Sequence, residues 1–247
     1  MTRLLLASAS PARRSTLAAA GIDALVEVSG VDEDAVLAAA AERFGTLDPA
    51  DAVLVLAQAK AQWVTEHRAS PDDDDAADSG DAADDGDTPD GDDTGEPGDT
   101  DLIVLGCDSM LELDGEILGK PTDAADATAR WRNMRGRSAT LHTGHWLIDD
   151  RDPAAGGTGG TLGATSSTVV HFADLSDAEI DAYVATGEPL AVAGAFTVDG
   201  LGGAFVTGVE GDYHGVVGLS LPLLRELLSE LAVTIPDLWR PTTTVVH

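Results

Sequence analysis

At 247 residues with 43% hydrophobic content, the chain can bury a full core, and its composition is that of a globular protein rather than a fibrous or wholly disordered one. A single cysteine, Cys107, excludes an internal disulfide and any metal site built from several thiolates, and no apolar run approaches the ~18 residues of a membrane span. The net charge of −30 is concentrated: residues 71–101 carry 15 acidic side chains and no lysine or arginine, and what remains offers no basic face for duplex nucleic acid.

The opening MTRLLLAS has an apolar stretch shorter than the ~7–15 residues of a secretory core, so a cytoplasmic protein without membrane association is expected. Residues 2–8 read instead as a buried first strand. Pro11 opens a helix capped by Ser10 and closed by Gly21. Residues 24–28 form a second strand candidate, and residues 34–43 and 49–67 have helical composition. In the longer helix Val53, Leu56, Lys60, Trp63 and Val64 share one face at spacings of three to four. The acidic stretch 71–101 contains no large apolar residue to offset the entropy of ordering. It is expected to be a disordered insertion within one domain spanning 1–247.

Beyond it, residues 102–105 are β-type, with Asp108 at the end of the strand. Residues 111–118 read as a hairpin around Asp114-Gly115. A helix follows at 123–134, then strands at 139–148 and 165–172 joined by the loop 149–163. A capped helix covers 176–186 and stops at Gly187; residues 193–218 are glycine-rich, and a last helix covers 222–231. Strands alternate with helices, which predicts an α/β fold.

Three segments could carry chemistry. Ser8-Ala9-Ser10-Pro11-Ala12-Arg13-Arg14 sits where a strand hands over to a helix. Free backbone N–H groups, hydroxyls and guanidinium groups there suit a phosphate, although a plain Ser-Pro cap with surface arginines has the same sequence. Gly106-Cys107-Asp108-Ser109 places a carboxylate where it could hold a divalent metal, accept a proton from water or cap a turn. Gly119-Lys120-Pro121 and the helical Lys60 hold the only two lysines among fourteen basic residues.

Taken together and in order, these segments resemble the Maf family of nucleotide pyrophosphatases. The matching residues are Ser8, Ser10, Pro11 and Arg13; Glu33 in Val31-Asp32-Glu33; Ala57-Gln58-Ala59-Lys60-Ala61; and Cys107-Asp108-Ser109. They continue with the run from Leu113 through Lys120 to Pro121, His142-Thr143-Gly144, Tyr183 to Glu188, Ala193-Gly194-Ala195-Phe196 and the segments around Gly200, Glu210 and Val216. The resemblance implies an elongated mixed α/β sheet with two lobes around a central substrate cleft, as in inosine triphosphate pyrophosphatases, and a homodimer. It implies hydrolysis of a nucleoside triphosphate to the monophosphate and pyrophosphate with a divalent metal cation, Mg or Mn, in house-cleaning of non-canonical nucleotides. Asp108 would accept the proton of water or hold the metal with Glu33. Ser8, Ser10, Arg13, Lys60, Ser109, Lys120 and Asp199 would bind the substrate. A nucleotide-binding regulator of septum formation with little catalysis is the alternative. Three positions depart from the family pattern: Ala12 for the first arginine of a pair, Ser109 for threonine, and Asp199 where members acting on dTTP and UTP carry glutamine. An ionised Asp199 only accepts hydrogen bonds, which suits a base presenting N–H groups.

Overall fold

The computed structural model describes residues 2–68 and 101–239. The expected disordered insertion at 71–101 lies outside these residues, apart from Asp101. The chain runs β1 (Arg3–Ala7), α1 (Pro11–Ala19), β2 (Leu25–Val26), α2 (Glu33–Phe44), α3 (Pro49–His67), β3 (Leu102–Leu113), β4 (Glu116–Leu118), α4 (Ala124–Met134), β5 (Ser138–Asp150) and β6 (Thr161–Phe172). It closes with α5 (Asp177–Ala185), β7 (Val206–Glu210), α6 (Tyr213–Val217) and α7 (Leu221–Glu230). One seven-stranded mixed sheet has the order β2-β1-β3-β5-β6-β7, with β4 paired to β3. β1 is parallel to β2 and β3; the remaining pairs are antiparallel.

The long strands β3, β5 and β6 run through two halves with separate cores. In the first half, Leu17 of α1 and Leu224 and Leu228 of α7 pack with Leu4, Leu6, Ile103 and Leu105 on one sheet face. Ala61 and Val64 of α3 cover Leu5, Ala7 and Val104 on the other. In the second half, Trp131 of α4 and Ile180 and Tyr183 of α5 pack on Leu111, Leu141, Val170 and Phe172. The alternation of side chains along a strand explains how one β3 serves both helix layers. No helix among the described residues is long and apolar enough to cross a membrane.

Most elements lie where the sequence places them. Ser10 caps α1 by accepting from Arg13 N, Asp123 caps α4, and Ser176 and Glu179 form a capping box on α5. Asp114 and Gly115 both take positive φ in the predicted hairpin turn. One expectation needs correction, and one stretch to which the sequence assigned no element takes up structure. Asp108 does not end its strand: β5 pairs with β3 from Leu102 to Glu112, and this ladder carries the chain through the polar Asp108-Ser109 step. The glycine-rich stretch 193–218 also contains regular structure, the edge strand β7 and the short helix α6, whose partners lie far away in sequence.

Candidate active site

The site begins with an interruption in strand pairing. β1 pairs with residues 102–106 of β3 and then leaves the sheet at Ser8, while β4 joins the same edge only at residues 111–113. Between them, residues 107–110 have no strand neighbour on that side among the described residues. Asp108 and Ser109 occupy this window, on opposite sheet faces because side chains alternate along a strand.

On the Asp108 face lies α3. Its buried stripe contains Val53, Leu56, Ala57, Lys60, Ala61 and Val64, with Lys60 the one charged member. Helix and sheet approach closely because Gly106 and Gly144 lack side chains. A Cβ on Gly106 would clash with Ala57 O and stand 2.9 Å from Ala61 N, and one on Gly144 would clash with Val53 O and stand 2.7 Å from Leu54 N. This contact brings the Lys60 ammonium to 2.5 Å from Asp108 Oδ1 and 2.7 Å from Glu33 Oε1. Glu33 opens α2 behind the cap Asp32, which accepts from Ala35 N, and its carboxylate stays half exposed. Burial pushes the Asp108 carboxyl above its ordinary range, against the opposing pull of Lys60 and Arg13.

On the Ser109 face, the buried Arg13 guanidinium binds three segments. Its Nε donates to Gly218 O at 2.8 Å, Nη1 to Ser8 Oγ at 3.0 Å and Cys107 O at 2.9 Å, and Nη2 to Ser109 Oγ at 3.0 Å. Arg14, about 100° further round the helix, is exposed. Ser8 Oγ also accepts from Ser10 N at 3.2 Å, which orders the turn between β1 and α1. The Cys107 thiol is fully buried, and burial pushes it up to about 12, so it stays protonated and unreactive.

Ser8, Ser10, Arg13 and Ser109 thus form one bonded cluster, and Glu33, Lys60 and Asp108 form another beside it. Lys120 and Asp199 belong to the second half of the sheet and make no hydrogen bond or ion pair to either cluster. Both are exposed. The backbone before Lys120 is held by Arg130 Nη1, which donates to Gly119 O at 2.6 Å, and by Gly194 N, which donates to the same oxygen at 3.0 Å. The Asp199 turn is fastened by Glu188. Its carboxylate accepts from Tyr183 Oη at 2.9 Å, Thr197 Oγ1 at 2.5 Å, Leu201 N at 3.0 Å and Gly202 N at 3.0 Å. Burial works to raise the Glu188 carboxyl, but these donors hold it at about 2. Sequence reasoning assigned no role to Glu188, Thr143 or Gly218. All three were visible only as parts of matching runs, and Gly218 acts through its carbonyl, which no side-chain pattern reveals.

Among the described residues no three His, Cys, Asp or Glu side chains gather as a metal cage. Glu33 and Asp108, with the Lys60 ammonium between them, still offer two carboxylates, and an ion of the magnesium type is commonly bound by one or two carboxylates together with substrate phosphates and waters.

The chain is 51% identical over 244 residues to a nucleoside triphosphate pyrophosphatase of Salinispora tropica, covering 98% of this chain and 90% of that protein. It is 46% identical over 239 residues to the nucleoside triphosphate pyrophosphatase of Streptomyces coelicolor, covering 97% and 95% of the two chains. It is 44% identical over 246 residues to that of Mycobacterium marinum, covering 97% of each. The family described as Maf-like protein matches residues 3–231, nearly the whole length including both halves of the sheet, and the chain belongs to that family.

Proposed function

We propose that this protein hydrolyses a nucleoside triphosphate between its α- and β-phosphates, releasing the monophosphate and pyrophosphate. The observation that carries the reading is the buried Asp108 carboxylate in the β3 window, with Lys60 on one side and Arg13 on the other. Burial raises its basicity, which suits a group that must take a proton from water. Lys60 and Arg13 pull the other way and favour the ionised form, the one that can accept that proton.

Substrate binding falls to groups around the window. Ser8 and Ser10 present hydroxyls at the start of α1, where backbone N–H groups also favour an anion. Lys60 and Arg13 supply positive charge where the leaving pyrophosphate gathers negative charge. Lys120 and Asp199, from the second half, would reach the distal phosphates and the base. Glu33 and Asp108 are the residues that would hold a divalent cation, which when bound would neutralise phosphate oxygens. The need for one is electrostatic. Glu33 and Asp108 cancel Lys60 and Arg13, so a substrate carrying about four negative charges meets no net attraction without added cation.

Homodimer assembly and a cytoplasmic location belong to the same reading. Turnover of a panel of canonical and modified nucleoside triphosphates with Mg²⁺ or Mn²⁺ tests it, with pyrophosphate and orthophosphate scored separately. Pyrophosphate release is expected. Nucleotide bound without turnover would instead identify a regulator, and orthophosphate alone would place the scissile bond elsewhere.

A further inference from the structure

Thr143 is fully buried at the middle of the His142-Thr143-Gly144 run and has no part in the chemistry above. Its hydroxyl donates to Gly215 O at 2.8 Å. A carbonyl only accepts, so this bond takes the one Thr143 hydroxyl proton. The 2.9 Å contact between Ser109 Oγ and Thr143 Oγ1 therefore runs from Ser109 to Thr143. Ser109 Oγ in turn accepts from Arg13 Nη2. The chain of donors has one consistent direction: Arg13 to Ser109, Ser109 to Thr143, Thr143 to the backbone of α6.

The same accounting covers Arg13 and Ser8. A guanidinium has five N–H groups. Four of those on Arg13 are committed, to Gly218 O, Ser8 Oγ, Cys107 O and Ser109 Oγ, which leaves one on Nη2. Ser8 Oγ accepts from Arg13 Nη1 and Ser10 N, and its O–H has no acceptor among the described residues. Helix α6 is gripped at Gly215 O by Thr143 and, at its C-cap, at Gly218 O by Arg13.

We propose that Thr143 is a positioning residue which, acting through Ser109, fixes the orientation of the Arg13 guanidinium. The free N–H of Arg13 and the O–H groups of Ser8 and Ser10 are then the side-chain donors this cluster leaves for substrate, and Ser109 is a relay whose proton is already committed. This role rests on the pyrophosphatase reading for what Arg13 does in turnover, but not for how Arg13 is held.

Two measurements test it on the full-length protein. The first is solvent exchange of the Arg13 Nε–H proton by ¹⁵N NMR, assigned by its loss in Arg13→Lys. Thr143→Val and Ser109→Ala should each speed exchange at least tenfold, and Thr143→Ser should keep it within twofold of wild type. Ser109→Ala breaks the relay while leaving the Thr143–Gly215 bond in place, so it serves even if Thr143→Val folds poorly. Unchanged exchange in Ser109→Ala overturns the proposal whatever the activity. The second is steady-state kinetics of pyrophosphate release. Ser109→Ala and Thr143→Val should lower kcat by a similar factor, at least tenfold, with KM within about threefold and no further loss in the double variant. Losses that multiply, or that follow thermal stability instead of the relay, overturn it. A wild-type protein that releases no pyrophosphate would defeat the pyrophosphatase reading alone, and the exchange measurement would still decide how Arg13 is held.

Discussion

Gly106 of β3 lies directly beneath Ala57 of α3, so close that a Cβ at this glycine would clash with the Ala57 carbonyl oxygen. Lys60 follows Ala57 by about one helical turn, and Asp108 follows Gly106 by two strand residues on the same face. The glycine contact therefore sets the distance between the ammonium and the carboxylate. Gly106→Ala forces helix from sheet at a backbone-to-backbone contact. Overpacking of this kind costs typically ~1–3 kcal/mol, and rigid neighbours put this case at the upper end or beyond. Urea denaturation should show that loss, and pyrophosphate release per folded molecule should fall with it. An alanine variant of wild-type stability and activity would contradict the contact.

Lys60→Met removes the cation shared by Glu33 and Asp108. Breaking one side of a buried pair costs roughly 3–5 kcal/mol, less here to the extent that Asp108 escapes by taking up a proton. Adding Asp108→Asn should recover part of the stability while activity stays absent. Asp108→Asn alone should fold normally and lose about 10²–10⁴ in kcat, the range of general-base contributions. Retention of more than a tenth of wild-type kcat in Asp108→Asn would remove it from the proton-accepting role.

His145 predicts a pH dependence of stability. Its ring is fully buried and, with Arg13 nearby adding to the effect of burial, its pKa is pushed down to about 4. Ser220 N donates to Nε2 at 2.8 Å, so that nitrogen must be unprotonated and Nδ1 carries the proton given to Thr143 O at 3.0 Å. The unfolded chain binds a proton near the ordinary value of 6.5 and the folded chain does not until about 4. Stability is therefore full above pH 6.5 and declines as pH falls towards 4, by ~3 kcal/mol at most. His145→Gln should be less stable at pH 7.5 and should flatten the slope between pH 6.5 and 4.5. An unchanged slope would assign the dependence to other groups.

The turn between β5 and β6 rests on a buried ion pair. Arg151 Nε and Nη2 donate to the two oxygens of Asp149 at 2.7 and 2.9 Å, and Thr158 adds two bonds of 2.8 Å from N and Oγ1. Arg151 Nη2 also donates to Leu231 O at 3.0 Å, tying the turn to the end of α7. Against the effect of burial, these donors hold the Asp149 carboxyl at about 2. Its contribution is present above the unfolded value of 3.8 and is lost as pH falls towards 2. Asp149→Ala leaves Arg151 buried without its partner and should cost roughly 3–5 kcal/mol by denaturant titration. Since the pair is remote from Asp108, KM should stay near the wild-type value.

Asp199 and Glu188 separate reading a base from holding the reader. Asp199 is exposed at its turn, and Glu188 fastens that turn through four donors. Asp199→Gln gives the side chain a donor as well as an acceptor, and the ranking of nucleotides should shift towards uracil and thymine. Glu188→Gln replaces one acceptor oxygen by an amide donor, and should raise KM for every nucleotide while leaving the ranking unchanged. A ranking indifferent to Asp199→Gln would remove Asp199 from base recognition.

The sequence by itself determined most of the elements, β7 and α6 excepted, and the identities of the chemical groups. The caps of α1 and α5, the Asp114-Gly115 turn and the spacing that puts Val53, Leu56, Lys60 and Val64 on one buried face of α3 are local signals, written in residues a few positions apart, and they appear in the fold as read; Trp63, expected on that face, is only half-buried. It also marked Lys60, one of only two lysines, and Asp108, a carboxylate following a buried β-type run. Only the tertiary structure decided that Asp108 stands within a strand beside a gap in pairing, since that gap depends on where β1 and β4 stop along β3. Likewise, only the folded chain commits the donors of Arg13 to Gly218, 205 positions away, and the proton of Thr143 to Gly215. These bonds join backbone carbonyls to distant side chains. A carbonyl is the same in every residue, so nothing in the sequence distinguishes the ones that are used.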